Sequence, residues 1–374
     1  MHIVMTVNAA WNIRNFRLPL VTALLADGHR IRVLATPDES VAALRDLGCA
    51  FVPLEMNVKG LNPIEDIRLI ARFRQLFADL RPDIVLSFTI KNNVFGAIAA
   101  KGLGLAFIPN VTGLGTAFLS GGVLQRIAEG LYRHAFARLP VIFFQNQDDR
   151  ALFVARNLVA AQQPRLLPGS GIDLEQFAAV PLPEPSAPVT FLMIARLLRD
   201  KGVVEFVDAA RQIKRSHAET CFQLLGAVSA QNRSAIALSV LEGWVAEGVV
   251  SYLGTTEDVR SPIAAAHVIV LPSYREGAPR TLIEGAAMAR PVIATDVPGC
   301  RAVVEEGRTG FLCAPRSAQA LAARMGQYLA LSPEAQAEMG RAGRAKMEAE
   351  FDQAHVVQAY RRAISDVTGR KAGC

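Results

Sequence analysis

The chain alternates short apolar runs with segments of helix length, and this alternation constrains its fold more than any other feature. Five runs, from HIVMTV to VIFFQ, occupy the first half, and five more, from VTFLMIA to PVIAT, follow after the middle. Runs of this kind are typical of parallel strands that helices cover on both faces. The sequence therefore predicts an α/β protein built from two doubly wound, Rossmann-like domains.

A proline-rich stretch separates the two sets of runs. VPLPEPSAPV, at 180–189, carries four prolines and can form neither a helix nor a central strand. We predict a first domain over 1–180 and a second over 189–351, with a C-terminal helix over about 352–374 that can pack back on the first domain. Two such domains are expected to face a cleft at the carboxyl ends of their strands, where sheets of this type bind ligands.

The composition excludes several classes of protein. Hydrophobic residues make up 51% and charged residues 20% of the chain, which excludes a disordered protein. The five cysteines are scattered without a C-x-x-C pair, so we expect a reducing, cytosolic compartment. The N-terminal stretch does not resemble a signal peptide. The longest uncharged window, 102–124, is too rich in glycine and polar residues for a lipid-embedded helix.

The excess of positive charge is confined to the first half. Residues 1–165 hold 18 Lys and Arg against 12 Asp and Glu, whereas residues 166–374 hold 22 of each. A basic half predicts an anionic partner, such as a phospholipid surface or a phosphorylated substrate. Nucleic acid is disfavoured, because the sequence has neither zinc-finger spacing nor an aromatic-basic RNA-binding run.

Two carboxylates, Glu276 and Glu284, bracket a loop-to-helix junction in the stretch YREGAPRTLIEGAAMA. Pro279 is placed for the first turn of the predicted helix, so Glu276 lies in the loop before it. The free N–H groups of that turn can seat a phosphate, and a carboxylate on each side can accept hydrogen bonds from sugar hydroxyls. Spacing alone favours a solvated surface helix, whereas the arrangement of the turn favours a binding site.

A second strand-to-helix turn carries two cations. In VTFLMIARLLRDKGVVEF, Arg196 follows the strand and Lys201 precedes Gly202, which opens the next helix. A rigid guanidinium and an ammonium at such a turn can clamp a diphosphate. Taken alone, this pattern is more typical of a solvated basic turn.

Together the two segments resemble the retaining glycosyltransferases of family 4, which have the GT-B fold. The shared pattern is R-x4-K-G followed by E-x7-E and then EEGRTGFL, and it covers most of 190–315. The resemblance implies that Arg196 and Lys201 hold the donor diphosphate during catalysis. It implies that Glu276 acts on the donor sugar and that Glu284 binds the nucleotide ribose. Further donor contacts are implied along the two turns, at Gly202, Gly277, Ala278, Pro279, Arg280 and Thr281.

The first domain resembles a narrower group, the bacterial enzymes that extend sugars on undecaprenyl diphosphate, often with N-acetylhexosamines. The similar stretches are NIRNFRLPL, TIKNNVFGAIAAK and NVTGLGTAF. This chain departs from many members in two features, since Asn8-Ala9-Ala10 replaces a Gly-Gly turn and no histidine stands near Asn110. The resemblance implies acceptor-side or phosphate-side candidates at Asn15, Arg17, Lys91, Asn92, Thr112 and Gly113.

By this resemblance, the chain is expected to move a hexose or N-acetylhexosamine from a UDP-sugar to a lipid-diphosphate-linked sugar in bacterial surface glycan or glycoprotein glycan assembly. No cofactor or metal is expected, because the sequence has neither D-x-D nor a ligand-spaced cluster of His and carboxylates. The expected location is the cytoplasm, at the inner face of the cell membrane. A sugar-nucleotide 2-epimerase and a non-enzymatic nucleotide-sugar sensor remain alternatives, whereas a dehydrogenase is disfavoured because no complete G-x-G-x-x-G occurs.

The stretch 63–80 is a candidate membrane-binding helix in the basic half. Ile67, Ile70, Phe73 and Phe77 recur at helical spacing. An interfacial helix and a core-packed amphipathic helix share this pattern, so both interpretations stay open. The arginines on its other faces are Arg68, Arg72 and Arg74.

Overall fold

The computed structural model describes residues 1–58, 62–114, 122–228 and 234–369, which form two compact units. The first unit comprises Met1–Ser170 together with the chain from Gln353 onward, and the second comprises Gly171–Asp352. Each unit is built on one parallel sheet with helices packed against it. The predicted fold class, an α/β protein with two Rossmann-like domains, is therefore confirmed.

Within the described ranges, the sheet of the first unit has the order β3-β2-β1-β4-β5-β6-β7, and all its neighbours are parallel. Its strands are β1 His2–Ala9, β2 Arg30–Thr36, β3 Ala50–Pro53, β4 Ile84–Phe88, β5 Ala106–Val111, β6 Ile142–Phe144 and β7 Pro164–Leu166. The helices before the unit boundary are α1 Ala10–Phe16, α2 Leu18–Ala26, α3 Ser40–Asp46, α4 Pro63–Leu80, α5 Ile90–Gly102, α6 Gly122–Phe136 and α7 Gln147–Ala155.

The sheet of the second unit has the order β10-β9-β8-β11-β12-β13 in the described residues and is also parallel throughout. Its strands are β8 Thr190–Ile194, β9 Cys221–Leu225, β10 Ser251–Tyr252, β11 Val268–Leu271, β12 Val292–Thr295 and β13 Gly310–Cys313. Its helices are α8 Val203–Lys214, α9 Leu238–Ala246, α10 Arg260–Ala265, α11 Arg280–Ala287, α12 Cys300–Val303, α13 Ala318–Leu329 and α14 Pro333–Lys346. A helix of the first unit, α15 Gln353–Thr368, ends the described chain.

An apolar layer lies on each face of both sheets. Because successive side chains of a strand point to opposite faces, Ile84 of β4 packs in one layer of the first unit while Val85 packs in the other. In the second unit, Val268 of β11 packs on one face and Ile269 on the other. This burial on both faces is the reason that the strands appear in the sequence as continuous apolar runs.

Three short strands, β3, β7 and β13, lie at sheet edges and are not predicted by the apolar runs. Each of them has only three or four residues, which is too few to show a clear pattern of apolar positions. In β3 none of the four residues is fully buried. Edge strands of this kind carry too weak a pattern for recognition from sequence.

The boundary between the units lies before the predicted linker. Residues 171–180 belong to the second unit, where Ile172 and Phe177 are buried in the core. The buried guanidinium of Arg290 donates hydrogen bonds to the carbonyls of Val180 and Pro181 at 2.9 and 2.8 Å. The predicted limit at 180 is therefore about ten residues late, since the start of the proline-rich segment is bound to the second unit.

The C-terminal helix α15 belongs to the first unit and packs into its core. Tyr360 and Ile364 are fully buried there. The Tyr360 hydroxyl accepts a hydrogen bond from Asn110 Nδ2 at 3.0 Å, which joins α15 to the end of β5. Arg361 donates to both carboxylate oxygens of Asp27 at 2.7 Å. Polar contacts and apolar burial thus both hold α15 against the first unit.

Helix α4 has the predicted bounds, but its apolar stripe is divided between core and solvent. Phe73 and Phe77 are fully buried, whereas Ile67 is 67% exposed. The interpretation of this stripe as one membrane-facing surface is therefore wrong for its C-terminal half, which packs on the core. In the described ranges, every helix is too short or too polar to span a bilayer.

Candidate active site

Strands β8 and β11 are neighbours at the point where the strand order of the second sheet reverses. The loops that follow them, 195–202 and 272–279, leave the carboxyl edge of the sheet side by side. A reversal of this kind opens a crevice at that edge, where sheets of this type bind their ligands. Both predicted donor-binding segments begin in these two loops.

The two loops bring Lys201 and Glu276 into contact. Lys201 Nζ donates to Glu276 Oε1 at 2.5 Å, and Ser273 Oγ donates to the same oxygen at 2.6 Å. Ser273 is fully buried, and the Lys201 and Glu276 side chains are largely shielded from water. Two donors fix one carboxylate oxygen, while Oε2 has no hydrogen bond to the described residues. The carboxylate is therefore oriented and still able to accept a hydrogen bond.

Close backbone contact holds the two loops in this arrangement. Gly202 has a φ of +78°, and a Cβ at this position would lie 2.1 Å from the carbonyl oxygen of Pro272. Only glycine combines that backbone conformation with so close an approach. The N–H of Tyr274 also donates to the carbonyl of Asp200 at 2.9 Å. The contact between Lys201 and Glu276 thus depends on a glycine next to the lysine.

Helix α11 begins at Arg280 with Pro279 as its N-cap, in agreement with the proline signal in the sequence. Thr281 Oγ1 donates to the carbonyl of Ile194 at 3.0 Å, which fastens the first turn of α11 to the end of β8. The N-terminal end of this eight-residue helix therefore lies at the carboxyl edge of the sheet. The N–H groups at this end carry partial positive charge, which favours an anionic ligand there.

Glu284 lies one turn further along α11 and is buried. Arg280 Nε donates to its Oε1 at 2.6 Å. Burial raises the pKa of the Glu284 carboxyl, and the neighbouring guanidinium lowers it in part. The carboxyl of an acid on a surface helix stays in contact with water, and burial does not raise its pKa. The surface-helix interpretation of Glu284 is therefore wrong. A buried carboxylate next to a loop of charged side chains is typical of a functional position.

Arg196 remains apart from the Lys201–Glu276 contact. Its side chain is exposed and makes no hydrogen bond or ion pair with any residue that the structure describes. Gly277 and Ala278, between the loop acid and α11, are partly exposed. The same edge of the sheet thus carries an unengaged guanidinium and accessible backbone.

Two family models match the chain along both units. Residues 188–330 match the model described as "Glycosyl transferases group 1", and residues 13–169 match the one described as "Glycosyl transferase 4-like domain". The first match contains all the contacts between the loops at the carboxyl edge. This chain is a glycosyltransferase with a 4-like domain and a group 1 domain. The resemblance in the sequence is confirmed, and the chain is a glycosyltransferase.

Individual proteins are similar to this chain in sequence or in fold. The N,N'-diacetylbacillosaminyl-diphospho-undecaprenol alpha-1,3-N-acetylgalactosaminyltransferase of Campylobacter jejuni is 26% identical over 339 residues, covering 86% of this chain and 88% of that protein. Anabaena HepE, solved in complex with UDP-glucose, aligns with a TM-score of 0.78 and 18% identity over 98% of this chain and 100% of that one. Sucrose-phosphate synthase of Thermosynechococcus elongatus has a TM-score of 0.78 and 21% identity, over the same 98% and 100%. The two structures support the GT-B fold of this glycosyltransferase.

Two predicted acceptor-side residues of the glycosyltransferase are buried. Asn92 is inaccessible, and its amide donates to Thr6 Oγ1 at 2.8 Å, so that it joins α5 to β1. Arg17 is also buried, with its guanidinium carbon 4.7 Å from the centre of the Phe88 ring. These contacts give both side chains a role in holding the first unit together, and their place on the acceptor side stays a prediction.

The other acceptor-side candidates are more accessible. Lys91 Nζ donates to Asp66 Oδ1 at 2.8 Å, which joins the first turns of α5 and α4. Thr112 and Gly113 follow the end of β5 and are partly exposed. Asn15 donates to a carbonyl one turn earlier at 2.9 Å. The acceptor-side role of Asn15, Lys91, Thr112 and Gly113 therefore stays a prediction.

A metal site in this protein would need several His, Cys, Asp or Glu side chains grouped in space. Among the described residues, no three such side chains are grouped as metal ligands. The independence from metal that the resemblance implies stays a prediction for this glycosyltransferase.

Sequence reasoning did not single out Ser273. It stands three residues before Glu276, in the segment PSYRE, and that spacing is the one signal that could have identified it. The Tyr274 hydroxyl donates to Glu205 at 2.7 Å, and the guanidinium carbon of Arg316 lies 4.8 Å from the centre of the Tyr274 ring. No sequence signal indicates these contacts, because both partners are far from Tyr274 in the chain. Burial and the Glu205 carboxylate raise the pKa of Tyr274 to about 12.

Proposed function

We propose that this glycosyltransferase moves a hexose or N-acetylhexosamine from a UDP-sugar to a sugar carried on a lipid diphosphate, with retention of anomeric configuration and without a metal ion. The observation that carries the proposal is the contact of Lys201 with Glu276. In a nucleotide sugar, the diphosphate and the sugar are joined by a single bond. Lys201 would serve as the cation for the diphosphate, and Glu276 beside it would serve as the carboxylate for the sugar.

The donor would lie along the carboxyl edge of the second sheet. Its diphosphate would contact Lys201, Arg196 and backbone N–H groups of the turn 277–281, which leads into α11. Glu276 Oε2 would accept a hydrogen bond from a sugar hydroxyl, and Glu284 would accept one from the ribose. The choice of a uridine nucleotide is supported by HepE, which was solved with UDP-glucose.

Transfer would form a bond between the acceptor oxygen and the anomeric carbon while the bond from that carbon to the β-phosphate oxygen breaks. UDP would leave with the bonding electron pair, and its phosphate oxygen would take the proton of the acceptor hydroxyl. Attack from the face that UDP leaves gives retention. Lys201, Arg196 and the N-terminal end of α11 would stabilise the charge on the departing diphosphate.

The acceptor class is supported by the Campylobacter relative, whose name describes a sugar on an undecaprenyl diphosphate. The basic first half suits an anionic acceptor and an anionic membrane, with Lys91, Thr112 and Gly113 on the acceptor side. We propose that the reaction takes place at the cytoplasmic face of the membrane, in assembly of a bacterial surface glycan or glycoprotein glycan.

The test is incubation of the full chain with a panel of UDP-hexoses and UDP-N-acetylhexosamines, with and without a synthetic lipid-diphosphate-linked sugar. Mass spectrometry detects the elongated lipid, and NMR coupling constants report the new anomeric configuration. We expect transfer of one sugar, in the α configuration from an α-linked donor, at the same rate in EDTA. A preparation of Glu276→Gln serves as a control for contaminating transferases.

The alternatives give different outcomes in the same assay. A 2-epimerase would convert a UDP-sugar without any acceptor. A sensor would bind a UDP-sugar and convert nothing. Either outcome, or transfer that stops in EDTA, would overturn the corresponding part of the proposal.

A further inference from the structure

Three described helices of the first unit expose aliphatic side chains where they begin. In α4, Ile64 and Ile67 are 62% and 67% exposed, and in α6, Val123 and Ile127 are 72% and 54% exposed. The first residue of α5, Ile90, is exposed as well. We use the name apolar rim for Ile64, Ile67, Ile90, Val123, Leu124 and Ile127.

The residues of the apolar rim lie at one edge of the unit. Each of the three helices follows a strand of the same parallel sheet, so each begins at the carboxyl edge. Helix α5 contacts both α4 and α6. The 2.8 Å contact between Asp66 and Lys91 joins the first turns of α4 and α5 directly. The rim residues of α4 and α5 are therefore adjacent, and those of α6 begin at the same edge of the sheet.

Positive charge accompanies the rim. Arg68 follows Ile67, and Arg126 precedes Ile127; both arginines are exposed and make no hydrogen bond or ion pair with the residues that the structure describes. Of the nearby acids, Asp66 binds Lys91 and Glu129 binds Arg156 at the C-cap of α7, whereas Glu65 accepts a hydrogen bond from the neutral amide of Asn57. The rim thus combines aliphatic side chains with two cations that form no ion pair with the described residues, against one such acid.

We infer that the apolar rim is a docking surface for an anionic lipid bilayer. Aliphatic side chains would enter the boundary between headgroups and acyl chains, and Arg68 and Arg126 would contact lipid phosphates. The inference rests on the proposed function in one respect, since a lipid-linked acceptor must reach the edge that carries Lys91, Thr112 and Gly113. Docking at the rim brings that edge to the membrane surface.

A second copy of the chain is a poorer occupant. The six aliphatic side chains at the ends of three helices are few against the roughly 20–30 residues that each partner contributes to a stable protein interface. Two copies would also oppose their Arg68 and Arg126 side chains. A bilayer needs no shape complementarity, and its negative headgroups match the charge.

The test is flotation of the full chain with vesicles of phosphatidylcholine containing phosphatidylglycerol, compared with phosphatidylcholine alone. We expect binding to the anionic vesicles that falls as salt rises. Val123→Ser with Ile127→Ser, and separately Arg68→Glu with Arg126→Glu, are expected to weaken this binding by about tenfold or more. All four positions are exposed, so thermal unfolding is expected to match that of the parent.

A matched control is available on α9 of the second unit, which exposes Leu238, Val240 and Val245 without the pattern of the rim. Changing these three residues to Ser is expected to leave vesicle binding unchanged. Turnover on a short-chain, water-soluble acceptor should be equal in the parent and all variants, because none of the changes touches the proposed donor site. This second assay separates failure of the docking surface from failure of the proposed transferase reaction.

Three outcomes would overturn the inference. The parent could fail to bind anionic vesicles, the rim variants could bind as well as the parent, or the α9 control could lose binding to the same extent. Light scattering tests a fourth outcome, in which the parent is a dimer and the rim variants are monomers. That result would show that the rim is a protein interface.

Discussion

The ammonium of Lys201 lies 2.5 Å from Oε1 of Glu276, although the two residues are 75 positions apart in the chain. This ion pair joins the loop after β8 to the loop after β11. A bound diphosphate would share the ammonium with the carboxylate, so the two proposed contacts of the donor are coupled. Changes at either residue should therefore be measured for both nucleotide binding and turnover.

Lys201→Ala is expected to weaken UDP binding by about tenfold or more, because a charge-assisted hydrogen bond to phosphate is lost. Turnover should fall further, since Glu276 also loses one of its two donors. Calorimetry with UDP measures the first effect. Arg199→Ala removes an exposed arginine of the same turn and is the matched control. Equal UDP affinity in the parent and Lys201→Ala would contradict the assignment.

Glu276→Gln should leave UDP affinity nearly unchanged and reduce turnover by at least about a hundredfold. The proposed partner of this carboxylate is the sugar, and its hydrogen bond is expected to strengthen as charge develops in the transition state. Calorimetry with UDP and steady-state kinetics with the complete donor separate the two effects. A variant as fast as the parent would make Glu276 an ordinary loop acid.

Ser273→Ala tests whether the buried hydroxyl positions Glu276. We expect kcat to fall by about tenfold, while the affinity for UDP stays at the parent value, because only the orientation of the sugar-binding carboxylate changes. Ser273→Cys keeps a weak donor and should recover part of the rate. A loss of UDP affinity as large as the loss of rate would instead indicate general damage to the loop.

Glu284→Gln should weaken UDP binding and raise stability at neutral pH. Burial raises the pKa of this carboxyl in the folded protein, so its contribution to stability is complete below the unfolded pKa and is lost as pH rises through the folded value. The neutral amide avoids that loss, and a gain of about 2–4 °C in Tm would correspond to roughly 1 kcal/mol. Thermal unfolding at pH 7.5 and pH 4 should show a difference that disappears at the lower pH. A lower Tm of the variant at pH 7.5 would refute the pKa argument.

Gly202→Ala is expected to destabilise the second unit by about 3 kcal/mol or more, since the new Cβ meets a backbone carbonyl that cannot move aside. Gly248 is the matched control, because its φ of +74° is similar and a Cβ there meets nothing within 4 Å. Gly248→Ala should therefore cost only about 1 kcal/mol. Urea unfolding of the two variants measures the difference, and equal losses would show that the carbonyl contact is unimportant.

Sequence reasoning reached the site through local signals. Pro279 marked the start of α11, and the turn before Gly202 marked the start of α8; both helices begin where these signals indicate. It could not distinguish the exposed Ile67 from the buried Phe73 in α4, because both lie on one helical stripe and only the neighbouring elements determine which part is covered. Asn92 is a similar case, since a polar residue at the start of a helix gives no sign that the interior will enclose it.

The sequence by itself determined the α/β class, the central strands and the two turns of the candidate site, because these depend on periodicity and on spacing within one turn or loop. Tertiary structure alone decided that Lys201 meets Glu276 and that Asn92 contacts Thr6. These contacts join residues far apart in the chain. Their existence depends on which strands become neighbours, and strand order is a property of the packed sheet that no local pattern contains.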